Sequence, residues 1–104
     1  MCGPHSRKYL TELIDMSGDS DIGVLKTVAV GLGDVQAPEA AAALESIVMR
    51  TQGDMRANML YQLAQTRQPS EIPFVRKYLK DPNRDVRRTA KYAIASLERA
   101  AIRP

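Results

Sequence analysis

A period of 31 residues constrains this chain more than any other feature. Asp81 to Leu97 reads DPNRDVRRTAKYAIASL; 31 positions earlier, Arg50 to Thr66 reads RTQGDMRANMLYQLAQT, and 31 earlier again, Asp19 to Val35 reads DSDIGVLKTVAVGLGDV. In that register Val24, Met55 and Val86 correspond, as do Val28, Met59 and Ala90, then Leu32, Leu63 and Ile94, then Val35, Thr66 and Leu97. Spacings of four, four and three put these positions on one face of a helix. They predict three helices, termed A, over about 22–34, 54–66 and 85–100.

A second register lies between them. Ala41 and Ile72 correspond, as do Leu44 and Val75, Ile47 and Tyr78, and Val48 and Leu79; one period back they fall on Leu10, Leu13 and Met16. These predict the B helices, about 6–17, 39–50 and 71–80. The order is B, A, B, A, B, A, with six helices and no strand signal. A period of this size with two short helices per unit implies an all-α solenoid, because one helix pair cannot bury its apolar face without a neighbour. The expected architecture is a right-handed superhelical stack of antiparallel helix pairs. It forms a single domain over residues 1–104, with an N-terminal B helix at 6–17, repeats at about 20–50 and 51–81, and a final A helix at 84–101.

The punctuation follows the same period. Pro38 and Pro69 fall at equivalent A-to-B turns, where proline suits a helix start because it lacks an N–H that would be orphaned anyway. Ser70 is placed to cap the helix that follows, with Pro73 in its first turn. Asp54 and Asp85 stand at equivalent B-to-A junctions, where a carboxylate accepts orphan N–H groups and meets the positive end of the dipole. Gly18, Gly53 and Asp81-Pro82 break the chain between units. In GLGD, Gly31 to Asp34, no strand precedes the glycines, so Gly33 reads as a helix C-cap rather than part of a phosphate loop.

These residues resemble the HEAT-like repeat family, especially the short-period group that includes the phycobilisome lyase-type repeats. The shared feature is an Asp-Pro turn, a Val-Arg opening of an alanine-rich A helix, and a Pro-marked turn into the B helix. The third unit carries it most fully, with Asp81, Pro82, Val86, Arg87, Ala90 and Ala93. The second keeps Met55-Arg56, Leu63 and Pro69, and the first has Leu25 where the arginine would stand. The resemblance runs from Leu10 onward and specifies fold more than function, since the family holds scaffolds, adaptors and some enzymes. It implies inter-repeat pairing of the Val-Arg arginines, Arg56 and Arg87, with aspartates among Asp54, Asp81 and Asp85. It also implies that the B helices, 39–50 and 71–80, present the concave partner face.

Few parts for chemistry are present. His5 is the only histidine, so no His-rich metal constellation can form, and the His-Glu pairs of HEAT-like iron hydroxylases have no counterpart. Cys2 lies near His5 in sequence, with no Asp or Glu spaced to complete a triad or a zinc site. Trp is absent, so the aromatic pocket of HEAT-like DNA glycosylases is not expected. A chromophore lyase-type role finds no obvious bilin-attachment thiol or acid–base pair. The sequence therefore predicts a protein that is not an enzyme, with no cofactor and no metal. The single cysteine excludes an internal disulfide, no run approaches the ~20 apolar residues that span a bilayer, and the N-terminus lacks a secretory core. A cytoplasmic location without membrane contact is expected.

Charge supplies the remaining signal. Residues 1–75 hold six Lys or Arg against nine Asp or Glu, a balance of −3; residues 76–104 hold nine against three, a balance of +6. On the last A helix Arg84, Arg88 and Lys91 project within about 60° of one another, opposite the apolar stripe, with Arg87 at its edge. Arg76, Lys77 and Lys80 add charge from the preceding B helix. Tyr92 is expected at the surface among these residues, and Tyr78 in the core. The predicted function is a scaffold or adaptor that binds another protein through an acidic surface, with nucleic-acid binding through the same basic third as the alternative. The last A helix has no following B helix, so self-association is expected where Ile94, Ala101 and Ile102 lack cover.

Overall fold

The computed structural model describes residues 4–102, all of whose regular structure is helical. Helices α1 (Pro4–Met16), α2 (Ile22–Val35), α3 (Pro38–Arg50) and α4 (Gly53–Gln65) are followed by a 3-10 turn (Pro69–Glu71), the short α5 (Ile72–Arg76), a second 3-10 turn (Lys77–Lys80) and α6 (Arg84–Ile102). The expected A helices become α2, α4 and α6, each within two residues of the bounds read from the periodicity. Cys2 lies outside the described residues, and so does the side chain of His5.

Helices α2, α4 and α6 pack side by side, while α1 and α3 pack on α2, α3 packs on α4, and the 69–80 segment packs on α6. The thin dimension of the molecule is 15 Å, against 39 and 37 Å for the others. Two helix layers 8–10 Å apart, each with a Cα radius of about 2.3 Å, account for that thickness. Between the layers lies the core, in which Val28, Leu32, Leu44, Ile47, Val48, Leu60, Leu63, Val75, Val86, Ala90 and Leu97 are fully buried. The register held for most of these positions. Met16 departs from it and is exposed, and Ile94 is only partly buried where its equivalents Leu32 and Leu63 are closed off.

Several junctions differ from the sequence reading. Gly33 is not a C-cap but lies inside α2; a Cβ there would stand 2.7 Å from Gln62 Oε1 and 3.1 Å from the Gln62 carbonyl, so glycine lets α2 and α4 approach. The C-cap is Gln36, with a left-handed φ of 53°. One period on, Arg67 repeats it with a φ of 55°. Asp54 and Asp85 sit in the first turns of α4 and α6 without accepting a cap bond. The acceptors are Asp21, bonded by the Val24 N–H at 3.1 Å, and Asn83, bonded by the Asp85 and Val86 N–H groups at 2.8 and 3.1 Å. Ser70 does not cap α5, because it lies within the 3-10 turn and no side chain caps either element. Pro73 has no N–H to give the Pro69 carbonyl. The turn therefore closes by the shorter i→i+3 bond from the Ile72 N–H, and the third B helix breaks into three pieces.

Candidate functional site

The polar network of the second junction is built around Asp81. Its Oδ1 accepts the Asn83 N–H at 2.9 Å, and its Oδ2 takes the Arg56 guanidinium at 2.8 Å. Arg56 also donates Nε–H to the Val48 carbonyl at 3.1 Å, and its guanidinium lies 5.1 Å from the centre of the Tyr78 ring. Tyr78 is thus half-buried beneath a cation rather than sealed in the core. From α6, Arg87 donates to the Asp81 carbonyl at 2.8 Å and the Pro82 carbonyl at 3.0 Å. Burial works against the charge of Asp81. The Asn83 N–H, the Arg56 hydrogen bond and the charges of Arg56 and Arg87 outweigh it, and hold the carboxyl below its usual range. Of the three aspartates the resemblance offered, Asp81 is the one that pairs with Arg56; Asp85 makes only a loose 3.8 Å contact with Arg88.

The first junction uses different residues in the same places. Leu25 replaces the arginine and is buried, and Arg50 stands where the third unit has Asp81. Arg50 turns back to donate to the carbonyl of Ser17, which is one period before Val48. The guanidinium that serves this carbonyl therefore comes from the C-terminal end of α3 rather than from the A helix.

The seven basic residues singled out in the sequence fall into three settings. Arg76, Lys77 and Lys80 are exposed on the 69–80 segment, with the Lys77 ammonium 5.3 Å from the centre of the Phe74 ring. Arg84, Arg88 and Lys91 are exposed on α6, in the other layer. Arg87 is half-buried and tied to the two carbonyls. At the equivalent positions α4 carries Gly53, Ala57 and Leu60, of which Ala57 and Leu60 are buried. Two of the three positions of the α6 stripe are thus buried on α4 and exposed on α6.

Beside it runs a shallow groove of about 340 Å³ lined by Tyr61, Asp85, Arg88, Thr89 and Tyr92. The Tyr61 and Tyr92 rings stack at 5.5 Å and 18°, although the two residues are 44% and 43% exposed. Tyr92 is at the surface, as its position off the apolar stripe implies.

Sequence reasoning did not single out Glu71. It is buried, its Oε1 has no partner among the described residues, and it faces Glu45 of α3. Burial, then the hydrogen bond to Glu45 and the negative charge of Glu45, push its carboxyl up to about 8. The available signal was its register: Glu71 falls one period after Ala40, which is fully buried. Among the described residues no group of three or more His, Cys, Asp or Glu is placed to hold a metal ion, and no helix is long and apolar enough to cross a membrane.

No family model matches the chain, and no curated protein matches it. Among solved structures it is similar to human deoxyhypusine hydroxylase in complex with glycerol, with a TM-score of 0.76 and 20% identity over 89% of this chain. That neighbour is a HEAT-repeat-containing protein, and the match covers 33% of its length. At this identity the likeness shows the fold alone. It still corrects one expectation. The neighbour is an enzyme, so the repeat fold gives no ground for the reading that this chain is not one.

Proposed function

We propose that the chain is a HEAT-like repeat module, a short right-handed solenoid of antiparallel helix pairs, that docks an acidic protein surface on its basic C-terminal third. One observation carries this reading. Arg88 and Lys91 stand exposed on α6 at the positions where α4 buries Ala57 and Leu60, so cations occupy positions that α4 keeps from solvent. The cost of crowding like charges on one helix face is a few tenths of a kcal/mol per pair, and the 3.8 Å contact between Arg88 and Asp85 offsets little of it. An acidic partner removes that cost. Arg76, Lys77 and Lys80 extend the positive field onto the other layer.

The test is capture of partners from the native source by the wild-type chain and by the triple variant Arg84→Glu, Arg88→Glu, Lys91→Glu, with and without nuclease. The variant keeps its helicity and loses its protein partners in both arms. If the bound material disappears on nuclease treatment, the basic third serves nucleic acid, and binding will then fall steeply with salt. If the variant binds the same proteins as the wild type, the reading fails.

A further inference from the structure

We infer that the acidic partner of the α6 face is the α1–α2 end of a second copy of this chain, seated head-to-tail one period further along the same 31-residue register. The inference rests on α6 being a protein-docking face and adds which protein docks there. Its basis is that the two ends of the molecule carry the separated halves of the junction seen between α4 and α6.

Arg56 reaches forward to Asp81 across that junction. One period on, Arg87 holds the place of Arg56. Its Nη1 donates to the Asp81 and Pro82 carbonyls, and the remainder of its guanidinium has no partner among the described residues. Two periods before Asp81 lies Asp19, in the same turn. Its Oδ1 accepts the Asp21 N–H at 2.7 Å, as Asp81 accepts that of Asn83 at 2.9 Å. Asp21 then caps α2 as Asn83 caps α6. The second carboxylate oxygen of Asp19, equivalent to the one that takes Arg56, has no partner among the described residues. A guanidinium with N–H groups to spare and a carboxylate oxygen without a donor stand at opposite ends, and the turns of Asp19 and Asp81 have matching backbone settings.

The surrounding surfaces agree. Gly33 packs on α4 with Gln65 close by, a Cβ at Gly33 lying 3.4 Å from Gln65 Cβ. In the same register Ala95 meets Asp34 of the second copy, which brings that exposed carboxylate toward Lys91. Ile94 then takes the cover that closes Leu63, and the half-exposed Tyr92 meets Val30, which is also exposed. The opposite net charges of the two parts of the sequence favour this pairing over head-to-head contact. A head-to-tail contact does not close on itself, so assembly grows by successive additions rather than stopping at a dimer.

Sedimentation over a range of concentrations should show continuous growth of the wild-type chain, reduced in high salt. Asp19→Asn keeps the turn but removes the charge, and Arg87→Gln removes the donor. Each should weaken association about tenfold or more, with circular dichroism confirming that both variants remain helical. An equimolar mixture of the two retains one intact basic end and one intact acidic end. It should form a 1:1 dimer that grows no further. A wild-type chain that stays monomeric at millimolar concentration overturns the inference, as does assembly insensitive to both substitutions. Neither result touches the docking reading, which falls only if the Arg84, Arg88 and Lys91 triple variant keeps its partners. If Arg87→Gln proves unfolded, Lys91→Glu serves as the basic-end variant under the same criteria.

Discussion

Where α2 meets α4, a guanidinium from the end of α3, Arg50, points back to the Ser17 carbonyl, and a buried leucine, Leu25, holds the place of the A-helix arginine. Where α4 meets α6, the guanidinium comes from the A helix itself, Arg56, and spans the Val48 carbonyl and the Asp81 carboxylate. The carbonyls at Ser17 and Val48 are equivalent, and both end a B helix that leaves acceptors unsatisfied. At these two junctions a guanidinium serves that place and comes from a different helix in each, while at the third the equivalent carbonyl, that of Leu79, is not the one Arg87 takes. Exchanging an arginine and an aspartate for a leucine and an arginine removes one partly buried ion pair and adds apolar burial, while the backbone register is unchanged.

If the two junctions share one apolar framework and differ only in polar chemistry, equivalent core truncations should cost the same. Leu32 and Leu63 are both fully closed off, so Leu32→Ala and Leu63→Ala should each lose about 3 kcal/mol in urea denaturation, within the ~2–5 kcal/mol range for such sites. A difference between them above about 1.5 kcal/mol would show that the junctions are not equivalent in packing.

The next contrast is polar. Arg56→Ala leaves Asp81 Oδ2 without its cation in a site where the Asp81 side chain is 7% exposed, while the Val48 carbonyl keeps the Thr51 donors, and should cost about 2–3 kcal/mol. Arg50→Ala frees only a part-buried carbonyl that water can reach, and should cost about 1 kcal/mol or less. Equal losses would mean that the first junction depends on its arginine as heavily as the second does on its ion pair.

The smallest effect is read against pH. Asp81 has its carboxyl lowered in the fold, so its contribution is present above the ordinary carboxylate range and is lost as pH falls through the folded value. Glu71 behaves oppositely. Its folded carboxyl is raised to about 8 from 4.5, so the folded state holds a proton that the unfolded chain has released, and stability falls as pH rises between those values. Glu71→Gln should leave the melting temperature nearly unchanged at pH 4 and raise it by a few degrees at pH 9. An unchanged melting temperature at pH 9 would show that Glu71 is reached by solvent.

Helix positions and the layer to which each belongs were legible because a buried face repeats with the helical period, and burial is an averaged property of many residues. Caps and ion pairs were less so. Asp54 and Asp85 have the right residue type two residues too late, while Asp21 and Asn83 hold the cap bonds, since two residues in sequence decide whether an oxygen reaches an N–H. The left-handed turns at Gln36 and Arg67 had no glycine to announce them. They are imposed by the packing of the helices on either side, which outweighs a local cost of about 1–2 kcal/mol. The α6 basic stripe could be read from residue spacing, but its coincidence with positions that α4 keeps from solvent needed the burial of Ala57 and Leu60.

By itself the sequence determined the all-helical class, the 31-residue register, the positions of the A helices and the charge imbalance between the two ends, each carried by local periodicity or composition. Tertiary structure decided which aspartate Arg56 pairs with, that Arg50 inverts the first junction, that Gly33 is a contact rather than a cap, and that Glu71 is buried against Glu45. The physical reason is range. A helix is specified by neighbours three and four residues away, whereas an ion pair spanning 25 residues or a carboxyl pair spanning two helices depends on how separate elements settle against one another.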